Sequence, residues 1–96
     1  MTRPLVVGPI AERDIEEAAR WYEAREPGLG QAFVHEVLRA LDAIVDSPER
    51  FPFLGDPYRR KLLDRFPYAI IYKVTTHRIY VRAVAHARRR PGYWDK

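Results

Sequence analysis

Two apolar runs near the end of the chain, Phe66 to Thr75 and Arg78 to Ala85, are rich in β-branched and aromatic residues and are separated only by Thr76-His77. This spacing predicts two strands joined by a compact turn. Alternation places Tyr68, Ile70, Tyr72 and Val74 on one face of the first strand and Ala69, Ile71 and Lys73 on the other. The same rule in the second strand groups Ile79, Val81, Ala83 and Ala85 against Tyr80, Arg82 and Val84. A sheet with so apolar a face has to be covered, and the preceding residues must supply the cover.

Those residues read as two helices. Ile15, Ala18, Ala19 and Tyr22 recur at the spacing of one helical stripe between about Ala11 and Glu26, and Pro27-Gly28 ends the pattern. Glu12, Asp14, Glu16 and Glu17 fall in its first turns, where carboxylates favour the positive end of the helix dipole. From Leu29 to Asp46, the residues Phe33, Val34, Val37, Leu38, Ala40, Leu41, Ile44 and Val45 form an apolar arc wide enough to touch two surfaces. His35, Arg39, Asp42 and Asp46 lie on the polar side. A short strand over Pro4 to Gly8 precedes the helices, Ser47-Pro48 stops the second, FPFLGDP (Phe51 to Pro57) reads as a loop, and Tyr58 to Asp64 as an edge strand. The expected fold is α+β, order β-α-α-β-β-β: a helical hairpin packed on one face of a small, mainly antiparallel sheet, in a single domain over residues 1–96.

Charge divides the chain. Residues 1–48 carry five arginines against nine acids, whereas residues 49–96 carry twelve Lys and Arg against Glu49, Asp56, Asp64 and Asp95. A basic half of this kind suits nucleic acid, a phosphate-rich assembly or an acidic protein segment, without choosing among them. The chain has no Cys, so disulfides and thiolate metal sites are excluded. No signal-peptide core and no membrane-length apolar run is present, and a cytoplasmic protein with no membrane contact is expected.

Conventional catalytic patterns are absent. Ser47 is the sole serine and sits at a helix end. His35, His77 and His86 are dispersed, so no metal site or cofactor is expected. Gly28 and Gly30 read as helix punctuation, since no strand leads into them and no Lys follows. Glu16-Glu17 and Asp42-Asp46 read as solvated faces, and Trp21 beside Tyr22 as partial core. The C-terminal stretch from His86 to Trp94 differs: Arg88, Arg89 and Arg90 put permanent cations beside Tyr93 and Trp94, a combination that contacts phosphates and offers aromatic platforms. Trp94 equally suits packing back onto the sheet, and His86 suits either a hydrogen-bonded strand end or a general base.

The ordered set A-x-x-D-I-x-x-A-x-x-W-Y-E (Ala11 to Glu23), PGLG (Pro27 to Gly30), PERFP (Pro48 to Pro52), RFPYAIIY (Arg65 to Tyr72) and H-x-x-R-x-P-x-Y-W (His86 to Trp94) resembles the RelE/ParE superfamily of bacterial type II toxins, especially ParE-like plasmid-stabilisation proteins. The resemblance implies a toxin neutralised by a cognate antitoxin with an acidic, amphipathic C-terminal segment, and indirect contact with DNA through that antitoxin.

The superfamily divides by target. RelE-like members cut messenger RNA on the ribosome and need several cations converging on one phosphate. Where the resemblance implies arginines, this chain has Ala69 and Ala87; Tyr93 matches the RelE-like set, and Arg60 matches one of its lysines loosely. A metal-independent endoribonuclease would rely on Arg60, His86, Arg89 and Tyr93. ParE-like members act on DNA gyrase by binding, without a reaction of their own. On that reading there is no catalytic residue, and Arg65, Arg82, His86, Arg89, Arg90, Tyr93 and Trp94 are the expected target contacts. A non-toxic basic binding module or co-repressor of the same fold is the third reading.

Overall fold

In the computed structural model, residues 3–88 are described. Gly8 and Pro9 turn β1 (Leu5–Val7) directly into α1 (Pro9–Arg25), with Pro9 at a first-turn position where its missing N–H costs nothing. Gly28, at φ 89°, occupies the left-handed region that glycine adopts without strain and starts α2 (Leu29–Asp46). Four further strands follow: β2 (Phe53–Gly55), β3 (Tyr58–Leu62), β4 (Tyr68–Val74) and β5 (Ile79–His86). The sheet order is β1-β5-β4-β3-β2. All neighbours are antiparallel except β1 and β5, which run parallel with Leu5 beside Ile79 and Val7 beside Val81. The α+β class and the helical hairpin on a mainly antiparallel sheet are as expected.

The stretch read as a loop contains the extra strand β2, paired with β3 through Phe53 and Arg59 and through Gly55 and Tyr58. All three β2 residues are exposed, so no burial pattern marks the strand in the sequence.

Helix-to-helix contact is set by one small residue. Gly30 is buried where α2 crosses α1, and a β-carbon there would overlap the carbonyl oxygen of Ala19. Glu23, from the end of α1, caps the start of α2: its two carboxylate oxygens accept the N–H groups of Gly28 (2.9 Å) and Gly30 (3.0 Å). The carboxylate thereby satisfies donors that a helix start leaves open and sits at the positive end of the dipole.

The main core lies between the hairpin and the sheet, with Phe33, Val37 and Ile44 of α2 packed among Ile70, Tyr72, Ile79, Val81 and Val84. An aromatic group closes one end. Tyr22 stacks on Phe33 at 5.5 Å between ring centroids, and Phe33 meets Phe66 and Tyr68 edge-on at 5.2 and 5.0 Å. Such pairs add roughly 0.5–1.5 kcal/mol each beyond the area they bury.

The facing expected for β5 changes midway. Tyr72 pairs with Val81 but Ile71 pairs with Ala83, so Arg82 is the extra residue of a β-bulge. Ile79 and Val81 face the helices as expected, but the bulge then reverses the alternation: Val84 joins the helix-side core, while Ala83 and Ala85 join Ala69 and Ile71 on the opposite face. One further expectation is corrected: Leu38, assigned to the apolar arc of α2, is 52% exposed. Asp14, expected in the first turns of α1, is buried.

Candidate functional site

The sheet face away from the helices has an apolar floor of Ala69, Ile71, Ala83 and Ala85, with Ile10 and Tyr58 packed against it. Arg60 pairs across the ladder with Ile71 and therefore projects on this face, where it is exposed. Lys73 and Tyr80 pair at the far side, with the ammonium 6.0 Å from the ring centroid. The small floor and basic rim make a shallow surface suited to a partner.

Arg59, one residue before Arg60, serves the opposite face. Its guanidinium donates to the carbonyl oxygens of Glu49 (3.0 Å) and Phe51 (2.7 Å) and lies 3.9 Å from the Phe53 ring centroid. The Tyr72 hydroxyl donates to the Pro48 carbonyl oxygen at 2.7 Å. Burial pushes the Tyr72 phenol up to about 12, against a lowering influence of Arg59. The PERFP stretch is thus a strap whose carbonyls are held by two side chains of the sheet.

His86 ends β5 on the helix side. It pairs with Tyr68, and the two rings meet edge-on at 5.0 Å. With Tyr68, Trp21, Tyr22, Asp14 and Glu17 it lines a cleft of about 460 Å³ between α1 and the end of the sheet. Burial also raises the Tyr22 phenol, countered by its hydrogen bond with Tyr68. Trp21, read as partial core, is 53% exposed here, with the Arg25 guanidinium 4.3 Å from its ring centroid. The Nδ1 atom of His86 accepts the Arg88 backbone N–H at 3.0 Å. An acceptor at Nδ1 puts the proton of the neutral ring on Nε2, so His86 presents an N–H donor to its surroundings.

These positions separate the residues of the nuclease reading: Arg60 projects on the open face, and His86 lies on the helix side of the same sheet. Ala69 is part of the open floor, and Ala87, just after β5, is exposed. Of the expected target contacts, Arg65 lies in the β3–β4 turn, exposed, with its guanidinium 5.3 Å from the Phe66 ring centroid. It shares an end of the sheet with His86, because Tyr68, which opens β4, is the residue opposite His86. Arg82 sits at the bulge, further along β5. Arg89, Arg90, Tyr93 and Trp94 lie outside the described residues. Among the described residues, no group of three or more acids and histidines is placed to hold a metal ion, and no helix is long and apolar enough to cross a membrane.

Comparison with known proteins gives this geometry a family. The family model for the ParE toxin of the type II toxin-antitoxin system, parDE, matches residues 5–91. The chain belongs to the ParE toxin family. A solved structure of the chromosomal ParDE toxin-antitoxin system from P. aeruginosa is similar at a TM-score of 0.81 and 14% identity, over 91% of this chain and 98% of that one. At that identity the likeness speaks for the fold. No curated protein matches this chain.

Two carboxylates of this ParE-family chain escaped sequence reasoning. Asp14 of α1 accepts the backbone N–H of Val84 at 3.0 Å, and Glu36 of α2 accepts those of Asp64 and Arg65. Both carry a signal in the sequence. Asp14 lies three residues after Ala11 and four before Ala18, and Glu36 lies three after Phe33 and four before Ala40, so each charge falls inside a buried stripe.

Proposed function

We propose that this chain is the toxin of a type II toxin-antitoxin pair and that it inhibits DNA gyrase by binding, without catalysing a reaction. The supporting observation is the separation of Arg60 and His86 onto opposite faces of the sheet. Ribose 2′-OH attack requires a base and several cations around one phosphate. Here the open floor carries Ala69, and the imidazole nitrogen that would act as base already accepts the Arg88 N–H. The same residues suit gripping: Arg65, Arg82 and His86, with Arg89, Arg90, Tyr93 and Trp94, form the contact set of this reading, His86 acting as a donor.

An antitoxin encoded beside the toxin holds it inactive through an acidic, amphipathic C-terminal segment that orders on binding, and links the pair to DNA. The complex is cytoplasmic. Purified toxin is expected to perturb gyrase supercoiling or cleavage in vitro and to leave ribosome-bound messenger intact. Codon-specific messenger cleavage with no effect on gyrase reverses the choice. Harmless accumulation when the chain is expressed alone favours a non-toxic binding module.

A further inference from the structure

The cleft between α2 and β3 contains a carboxylate with one unused oxygen. Glu36 is 4% exposed; its Oε2 accepts the N–H groups of Asp64 and, at 2.8 Å, Arg65, whereas Oε1 is buried and has no hydrogen-bond partner among the described residues. A buried acceptor left without a donor is costly, and a native fold keeps few of them. Glu36 lines a cavity of about 200 Å³, together with Arg39, Ala40, Ala43, Lys61 and Leu62. Asp64 also borders it, so two carboxylates balance two cations. That balance favours a neutral donor over a cation. The alanine and leucine walls favour apolar side chains beside it.

The neighbouring strand edge is open where the cavity begins. β2 covers β3 only through Tyr58 and Arg59, and the Arg60 N–H is taken by the Pro52 carbonyl at 3.0 Å. The Leu63 N–H points the other way, to Tyr68 at 2.9 Å. Alternation along the strand therefore turns the Leu62 N–H outward, past the end of β2, and among the described residues no strand pairs there. The Leu62 side chain is 54% exposed. The next outward N–H, that of Asp64, is the one Glu36 takes, so its idle oxygen stands at the end of the open edge.

We propose that this edge and Glu36 Oε1 together receive an extended peptide segment of the antitoxin. A carbonyl of that segment accepts the Leu62 N–H, and a neutral donor, a backbone N–H or a side-chain amide, reaches Glu36 Oε1. Arg39 on the rim is placed to pair with an acidic residue flanking that donor, while the Lys61 ammonium donates to the Leu62 carbonyl oxygen at 3.2 Å. The inference rests on the antitoxin reading and assigns the surface it uses.

The test uses the full-length toxin and the purified antitoxin encoded by the adjacent gene. Complex formation is expected to slow amide exchange at Leu62. Glu36→Gln, which puts an NH₂ group where an acceptor is required, and Leu62→Pro, which removes the outward N–H and leaves the inward pairing of β3, are each expected to weaken the complex roughly tenfold or more. Leu62 exchange is read on the unsubstituted toxin, so the proposal stands or falls even if a variant folds poorly. A complex with unchanged Leu62 exchange overturns the proposed surface and leaves the antitoxin reading in place. The absence of any complex overturns both.

Discussion

Replacing Asp14 by Ala tests how the bulge in β5 is tolerated. β1 accompanies β5 only from Ile79 to Val81, after which Gly8 donates to the Val81 carbonyl oxygen and the chain leaves as α1. The Val84 N–H therefore turns toward a helix that offers no backbone acceptor. Asp14 supplies one at 3.0 Å between residues only 8% and 2% exposed. Losing a charged acceptor from a buried N–H costs ~1.5–3 kcal/mol. The better helix propensity of Ala returns about 0.5 kcal/mol, leaving a net loss of ~1–2.5 kcal/mol. With a urea slope of about 1 kcal/mol/M for a domain of this size, the unfolding midpoint should fall by ~1–2.5 M. Asp14→Asn retains an acceptor of the right length and should lose about half as much. Urea titration followed by circular dichroism measures the loss, and amide exchange at Val84 locates it. If Asp14→Ala is neutral, or if Val84 exchange does not quicken, water from the adjoining cleft serves the bulge equally well and the assigned role is wrong.

Three further outcomes follow from the same geometry. Tyr72 keeps its proton to about pH 12 in the fold but only to about 10 when unfolded, so the stability it contributes is complete below pH 10 and is lost as pH rises from 10 to 12. Between pH 9.5 and 11.5 that loss should amount to ~1.5–2 kcal/mol in urea titrations, and Tyr72→Phe should flatten the decline while losing the bond to Pro48. Gly30→Ala should force α2 away from Ala19 at a cost of ~1–3 kcal/mol, visible as a lowered thermal midpoint; an unchanged midpoint would mean that the helices separate freely. His86→Gln retains a side-chain N–H donor and should keep most of the effect on gyrase, whereas loss of a general base would reduce activity by ~10²–10⁴-fold.

The resemblance motifs acquire different physical meanings in the fold. PGLG places Gly28 at a positive φ and Gly30 at the helix crossing, so both glycines are structural. PERFP supplies the strap carbonyls bound by Arg59 and Tyr72. In W-Y-E, Tyr22 enters the aromatic group, Glu23 caps α2, and Trp21 remains at the surface beside the cleft. Much of the family pattern thus maintains the scaffold, and the properties that would choose a target rest on fewer positions.

The amino-acid sequence alone determined the two helices, their boundaries within a few residues, the hairpin of β4 and β5 and the family. These follow from local periodicity and from Pro and Gly punctuation, which act over a few neighbouring residues. Only the tertiary structure decided which face each β5 side chain uses, because a bulge is a relation between two strands and leaves no mark on either one alone. It likewise decided that Asp14 and Glu36 are buried acceptors for backbone groups 70 and 28 residues away. A carboxylate inside an apolar stripe signals burial; the donor that makes burial tolerable is brought to it by the fold.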